Sequence, residues 1–155
     1  MAVELSNFLS PERIACGVDA SSKKRALEQL SELIAHGNPE LSPHDVFDSL
    51  LARERLGGTG LGHGVAIPHG RLKNHPTTIG AFITLKEGVD FDAIDNQPVD
   101  LLFALLIPEN STQEHLEILS LLAGMFNNDA FRDALRDVES PEELYRLMVQ
   151  WQTDH

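Results

Sequence analysis

The residues best suited to chemistry lie in one glycine-rich run, GTGLGHGVAIPHGR, residues 58–71. Its second histidine, His69, sits between Pro68 and Gly70, where a short strand is expected to break into a turn. Proline stiffens one side and glycine leaves the other open. The imidazole is thereby held at a fixed place with little bulk around it, which suits a nucleophile that another large molecule must reach. A neutral imidazole nitrogen takes a phosphoryl group, and the N–P bond is labile enough to pass it on. The reaction asks for an oriented, neutral ring and for cations to balance the incoming charge. Arg53 and Arg71 could supply that balance by bidentate contact with phosphate oxygens. Backbone N–H groups of the Gly58–Gly64 turn could add to it as an anion nest. His115 falls in the first turn of a helix opening at Ser111. A helix N-terminus disfavours imidazolium, so His115 is placed to stay neutral and donate a hydrogen bond. On residue types alone a solvated surface histidine remains the alternative for both rings.

Other chemistries fit the run less well. A Walker loop needs GxxxxGK[ST], and no lysine follows these glycines; the GxGxxG dinucleotide fingerprint lacks its third glycine. His63, His69 and His75 lie six apart, without the i, i+4 spacing of a zinc-protease helix, HExxH or a cysteine pair. A metal site built on His63 and His69 is therefore a minor alternative. Cys16 is the sole cysteine, which excludes an intrachain disulfide framework and leaves an inert thiol in an apolar setting. There is no GxSxG.

The elements that must position these groups read as alternating helices and strands. A loop leads into a strand around Ile14. Ser21 or Ser22 caps a helix with Ala26, Leu27, Leu30, Leu33 and Ile34 on one face, stopped at Gly37-Asn38-Pro39. A second helix opens at Ser42, with Pro43 at its first position and Val46, Phe47, Leu50 and Leu51 as its stripe, ending near 55–57. Val65 to Ile67, Thr78 to Leu85 and Val99 to Ile107 read as strands, the last buried on both faces. Lys86 to Gln97 is turn-rich. Ser111 to Glu114 reads as a capping box for a helix with Leu116, Leu119, Leu122, Ala123 and Phe126 inside. A short helix carries Phe131, Ala134 and Leu135. Ser140 to Glu143, a second capping box, opens a helix with Leu144, Leu147, Met148 and Trp151 on one face. The expected class is α/β: a single domain over residues 1–155, with a small mixed β-sheet flanked by α-helices and about residues 1–8 flexible.

Net charge is −12, from 24 acidic and 12 basic residues. Such a surface repels nucleic acid and anionic lipid and favours a basic protein partner. No basic segment precedes a long apolar stretch at the N-terminus, and the longest apolar run, 101–107, is too short to span a bilayer. The expected location is the cytoplasm.

The run 58–71 resembles the active-site segment of the EIIA proteins of the bacterial phosphotransferase system, fructose/mannitol class. SSKKRALEQLSELIA (21–35), RERLGGTG (53–60), FDAIDNQPVDLLFALLIP (91–108) and EHLEILSLLA (114–123) extend the likeness over nearly the whole chain. Within the class it is most similar to the nitrogen-regulatory type. The resemblance implies that His69 is phosphorylated at Nε2 by the phosphohistidine of a small HPr-like carrier. It implies that His115 supports the phosphohistidine, that Arg53 helps hold the phosphoryl group, and that no metal or organic cofactor is needed. The protein would be a stoichiometric phosphotransferase-system carrier whose phosphorylation state is the signal. A free-standing sugar EIIA passing phosphate to an EIIB component for fructose or mannitol uptake shares the chemistry. So does neither of two other classes, a pure binding module and a metal hydrolase. The roles of His63 and Arg71, the downstream target and the oligomeric state stay open.

Overall fold

The computed structural model describes residues 4–73 and 75–155. The order of elements is β1 (Ile14–Val18), α1 (Lys23–Ala35), α2 (Pro43–Leu56), β2 (Gly60–Gly62), β3 (Val65–Ala66), β4 (His69–Leu72), β5 (Ile79–Val89), β6 (Val99–Pro108), α3 (Gln113–Phe126), α4 (Asp129–Arg136) and α5 (Pro141–Asp154). The strands form one mixed sheet in the order β1-β5-β6-β3-β2, with β4 also paired to β6. This is the expected single α/β domain.

β6 explains the layering. Its side chains alternate between faces: Leu102, Ala104 and Leu106 join the core under α1 and α2. Leu101, Phe103, Leu105 and Ile107 join the core under α3, α4 and α5. A strand covered on both faces must be apolar throughout, as VDLLFALLI is. β5 runs antiparallel to β6, while β3 and β4 run parallel to it. β3 and β4 are one course interrupted at Ile67-Pro68, where proline has no N–H to give the ladder. The Pro68 carbonyl still accepts from Leu105 N at 2.9 Å.

Several expectations change. The strand begun near Thr78 continues through Lys86, Glu87 and Gly88 to Val89, so the turn-rich segment starts later. β2 and β4 were not expected as strands. β2 pairs antiparallel with β3, and the two residues at the tip, His63 (φ 57°) and Gly64 (φ 81°), are both left-handed, as a tight hairpin requires. The capping box at Ser111 does not form: the N-cap of α3 is Thr112, without a side-chain cap bond. The buried stripe of α3 is rotated to Ile118, Leu122, Met125 and Phe126. Ala123 is exposed and Leu116 is 59% exposed. The caps at Ser22 and Ser140 do form, accepting from Arg25 N at 3.2 Å and Glu143 N at 3.3 Å. Of the lead 1–8 expected to be flexible, residues 1–3 lie outside the described residues. Leu5 and Phe8 are buried in the core beneath α5.

Candidate functional site

The site sits at the free edge of β4, which pairs with β6 alone. There both helical layers reach the same strand. Side chains alternate along β4, so His69 and Arg71 share one face and Gly70 points to the other, against α2. A Cβ on Gly70 would lie 2.3 Å from Ser49 Oγ and 2.9 Å from the Ser49 carbonyl carbon. Only glycine lets the strand lie this close to the helix. The contact brings Arg53, one turn beyond Ser49, over the strand edge onto His69.

His69 is half-buried. Its Nδ1 lies 2.9 Å from the Ile67 carbonyl oxygen, a group left outside the ladder by the Pro68 interruption. Arg53 Nε lies 3.2 Å from His69 Nε2. Arginine only donates, so Nε2 is the lone-pair nitrogen and Nδ1 carries the proton, given to Ile67. Both contacts specify the same neutral tautomer. Arg53 is itself held by Nη1 donating to the Gly57 carbonyl at 2.8 Å.

The first residues of the glycine-rich run are anchored by a carboxylate that sequence reading passed over. Glu54 is buried. It accepts from Thr59 N at 3.3 Å and from the Thr59 hydroxyl, and pairs with Lys23 Nζ at 3.4 Å. A buried carboxylate is tolerated because it is paired and bonded. The network fixes the exit of α2, and so the residue before it, Arg53.

His115 arrives from the other layer, in the first turn of α3. Its ring centroid is 5.3 Å from that of His69, at 75° between planes. Arg71 Nη2 is 2.7 Å from His115 Nδ1. The structure thus brings together His69, Arg53 and His115 with Arg71. It does not bring in His63, which lies on the far hairpin tip. Its N–H donates to Asp95 at 2.9 Å, and its carbonyl accepts from Arg136 at 2.7 Å. β3 and β4 run along β6 with Val65 opposite Leu101 and His69 opposite Leu105. At about 3.3 Å per residue, the hairpin tip is on the order of 15–20 Å from His69. Of the expected anion nest at 58–64, the Thr59 and His63 N–H groups are already engaged by Glu54 and Asp95. Among the described residues no three His, Cys, Asp or Glu side chains converge as a metal site.

Around His69 an open hollow of about 640 Å³ is lined by Asp45, Asp48, Arg53, Leu56, Arg71 and His115, among others. Burial, above all, pushes the His69 pKa below its ordinary value. The bond to Ile67 opposes that shift, Arg53 and Arg71 add to it, and Glu54 partly offsets them. The His115 pKa is also lowered, first by burial, then by His69, Arg71 and Arg53. Both rings are therefore neutral in the fold at pH values where the unfolded chain is already protonated. Between the lowered values and about 6.5 the unfolded state binds more protons, so stability falls as pH drops through that window. The melting temperature is expected to decline below about pH 6.5. A His69→Gln/His115→Gln double variant should decline less steeply, and equal slopes would remove the two rings as its source.

Fold and geometry define a one-domain α/β protein with a neutral, arginine-capped histidine at the free edge of its sheet. The model of the family described as "Phosphoenolpyruvate-dependent sugar phosphotransferase system, EIIA 2" matches residues 7–151. The chain belongs to that family. It is 46% identical over 147 residues to a nitrogen regulatory protein of Pseudomonas aeruginosa, covering 95% of this chain and 96% of the relative. The crystal structure of the nitrogen regulatory protein IIA-Ntr from Neisseria meningitidis superimposes with a TM-score of 0.86 at 47% identity, over 91% of this chain and 96% of that one. The mannitol enzyme IIA from Escherichia coli, solved in complex with phosphorylated mannitol enzyme IIB, gives a TM-score of 0.75 at 26% identity, over 92% and 97%. Among the described residues no helix is long and apolar enough to cross a membrane.

Proposed function

We propose that the chain, as one phosphotransfer domain over 1–155, is a phosphoryl relay of the nitrogen-regulatory type. His69 takes a phosphoryl group from the phosphohistidine of an HPr-like carrier, and its phosphorylation state is the signal read by regulatory partners in the cytoplasm. The observation that carries this is the tautomer: Nδ1–H is given to Ile67, and the Nε2 lone pair faces the hollow beside a cation.

In the transfer, Nε2 approaches phosphorus in line with the carrier's N–P bond. That bond breaks with its electron pair returning to the carrier ring nitrogen, and the Nε2 lone pair forms the new N–P bond. The transition state is loose and needs positioning and charge balance more than covalent help. Arg53 exchanges its bond to Nε2 for bonds to phosphoryl oxygens, and His115 donates to another. The His69 Nδ1 proton stays with Ile67, so no base is needed. Because one imidazole replaces another, the equilibrium lies near balance. The gained group brings up to about two negative charges. Asp45 and Asp48 at the rim, with a net charge of −12, suit a carrier with a basic docking patch. The sugar-specific alternative shares the chemistry and differs in partner surfaces. Identities of 46–47% to nitrogen regulatory proteins against 26% to the mannitol enzyme favour the regulator.

Incubation with phosphoenolpyruvate, the system's first enzyme and its carrier should put an acid-labile, alkali-stable label on the protein. Phosphorus NMR should place it on a histidine Nε2. No label, or a label on another residue type, overturns the relay. Partner capture with phosphorylated and unphosphorylated protein tests the regulatory half, which fails if the two sets of partners are the same.

A further inference from the structure

Arg71 is aimed away from the nucleophile it neighbours. It lies two residues beyond His69 on the same face of β4, yet its guanidinium turns to the opening of α3. Nη1 donates to the carbonyls of Glu109 at 2.8 Å and Ser111 at 2.9 Å, with Pro108 at 3.4 Å. Nη2 meets His115 Nδ1 at 2.7 Å. Three main-chain oxygens and a ring nitrogen engage this guanidinium, against one carbonyl and the His69 ring for Arg53, so it is the less free of the two to swing onto a phosphoryl group. We infer that Arg71 is a positioning residue for phosphoryl transfer, which fixes the tautomer of His115 so that its Nε2–H faces the phosphoryl site on His69.

The chemistry follows from what each group can do. Arginine carries five N–H donors, no acceptor, and stays protonated. The bond at Nδ1 is therefore from Arg71 to the ring. A neutral imidazole that accepts at Nδ1 carries its proton at Nε2. The guanidinium at Nδ1 also opposes a second proton there, so the ring meets the phosphoryl group as a neutral donor and not as an imidazolium. A neutral donor stabilises the transferring oxygens without the tight ion pair that would hold the phosphate in place. That balance suits a group that must leave again. The same guanidinium gathers the carbonyls of Pro108, Glu109 and Ser111, fixing the turn at 108–111 and with it the height of His115. It acts through His115, touching neither the reacting nitrogen nor the expected phosphorus position.

The inference rests on the relay reading, so its test separates the two. In unphosphorylated, nitrogen-15-labelled protein at pH 7, long-range proton–nitrogen correlations should show His115 with an unprotonated Nδ1 and a protonated Nε2. In Arg71→Met the ring should lose that single tautomer. Onward transfer of phosphate from His69 should slow by about 10- to 100-fold, while His69 still accepts label. Arg71→Lys, which restores one donor to Nδ1, should recover the tautomer and part of the rate; recovery of neither would overturn the inference. Arg71→Met with an unchanged tautomer overturns it, whether or not the rate falls, since a slowed rate would then be a general loss of structure. An unchanged onward rate with an altered tautomer overturns it too. Failure of the wild type to label would sink the relay itself, and the tautomer measurement would still stand.

Discussion

His69→Ala is expected to take no phosphoryl label above background from the carrier, with its melting temperature nearly unchanged. The loss should be complete because none of His63, His75 and His115 can substitute. His63 is held on the hairpin tip at the far end of β3. His75 is buried, with Nδ1 2.7 Å from the Thr77 carbonyl. His115 is the nearest candidate, but its Nδ1 is occupied by Arg71 and its Nε2 carries the proton. A protonated nitrogen has no lone pair to offer. Stability should change by no more than about 1 kcal/mol, since the ring is half-buried and anchored by only two bonds. The variant frees Arg53 and leaves the Ile67 carbonyl to solvent. Labelling over a time course, with thermal melts alongside, checks both halves. A variant that melts like wild type and still labels would move the nucleophile elsewhere.

What could be read in the sequence was what local periodicity and end signals specify. α1, α2 and α5 were legible because capping serines, Pro43 and apolar stripes agree, and β6 because an unbroken apolar run has few other uses. α3 was misread for a physical reason. It is apolar on more than one side, with Leu116, Leu119, Leu121 and Leu122 nearly encircling it, so spacing alone could not say which face meets the sheet. Its start was misread because Ser111 and Glu114 form a capping box by type, whereas the turn is held by Arg71 from forty residues away. His69 stands out as the candidate nucleophile because proline, histidine and glycine are adjacent; Arg53 and His115 are candidates by residue type and position, and the family likeness adds their expected roles. The sequence offers Arg71 beside Arg53 only as a charge-balancing cation, because 69–72 reads there as a turn. Read as a strand, its period of two puts Arg71 on the face of His69. Glu54 gave no signal, since a charged residue beside Arg53 and Arg55 near a helix end looks solvated. Its burial depends on Lys23 and Thr59, contacts set only by the tertiary fold.

Gly70→Val is expected to be the most damaging change that substitutes none of the site side chains. The backbone at Gly70 is ordinary strand, so the penalty is steric and not conformational. The first added carbon would meet Ser49 Oγ at 2.3 Å and the Ser49 carbonyl carbon at 2.9 Å. The hydroxyl can turn aside, at the cost of its 2.9 Å bond to the Arg71 carbonyl. The carbonyl carbon cannot move without the helix. α2 must then lift from β4, at a cost of about 1–3 kcal/mol or more from overpacking. Arg53 is carried with it, because it stands one turn further along the same helix. A displacement of about 1 Å at a transferring group can cost on the order of 100-fold in rate. Phosphoryl acceptance by His69 should fall by that order in protein that is still folded, with a lower urea midpoint. Adding Ser49→Gly should recover little, since it removes the hydroxyl and leaves the main-chain collision. Full recovery of rate and midpoint in the double variant would show that the hydroxyl contact, not the approach of helix to strand, sets the position of Arg53.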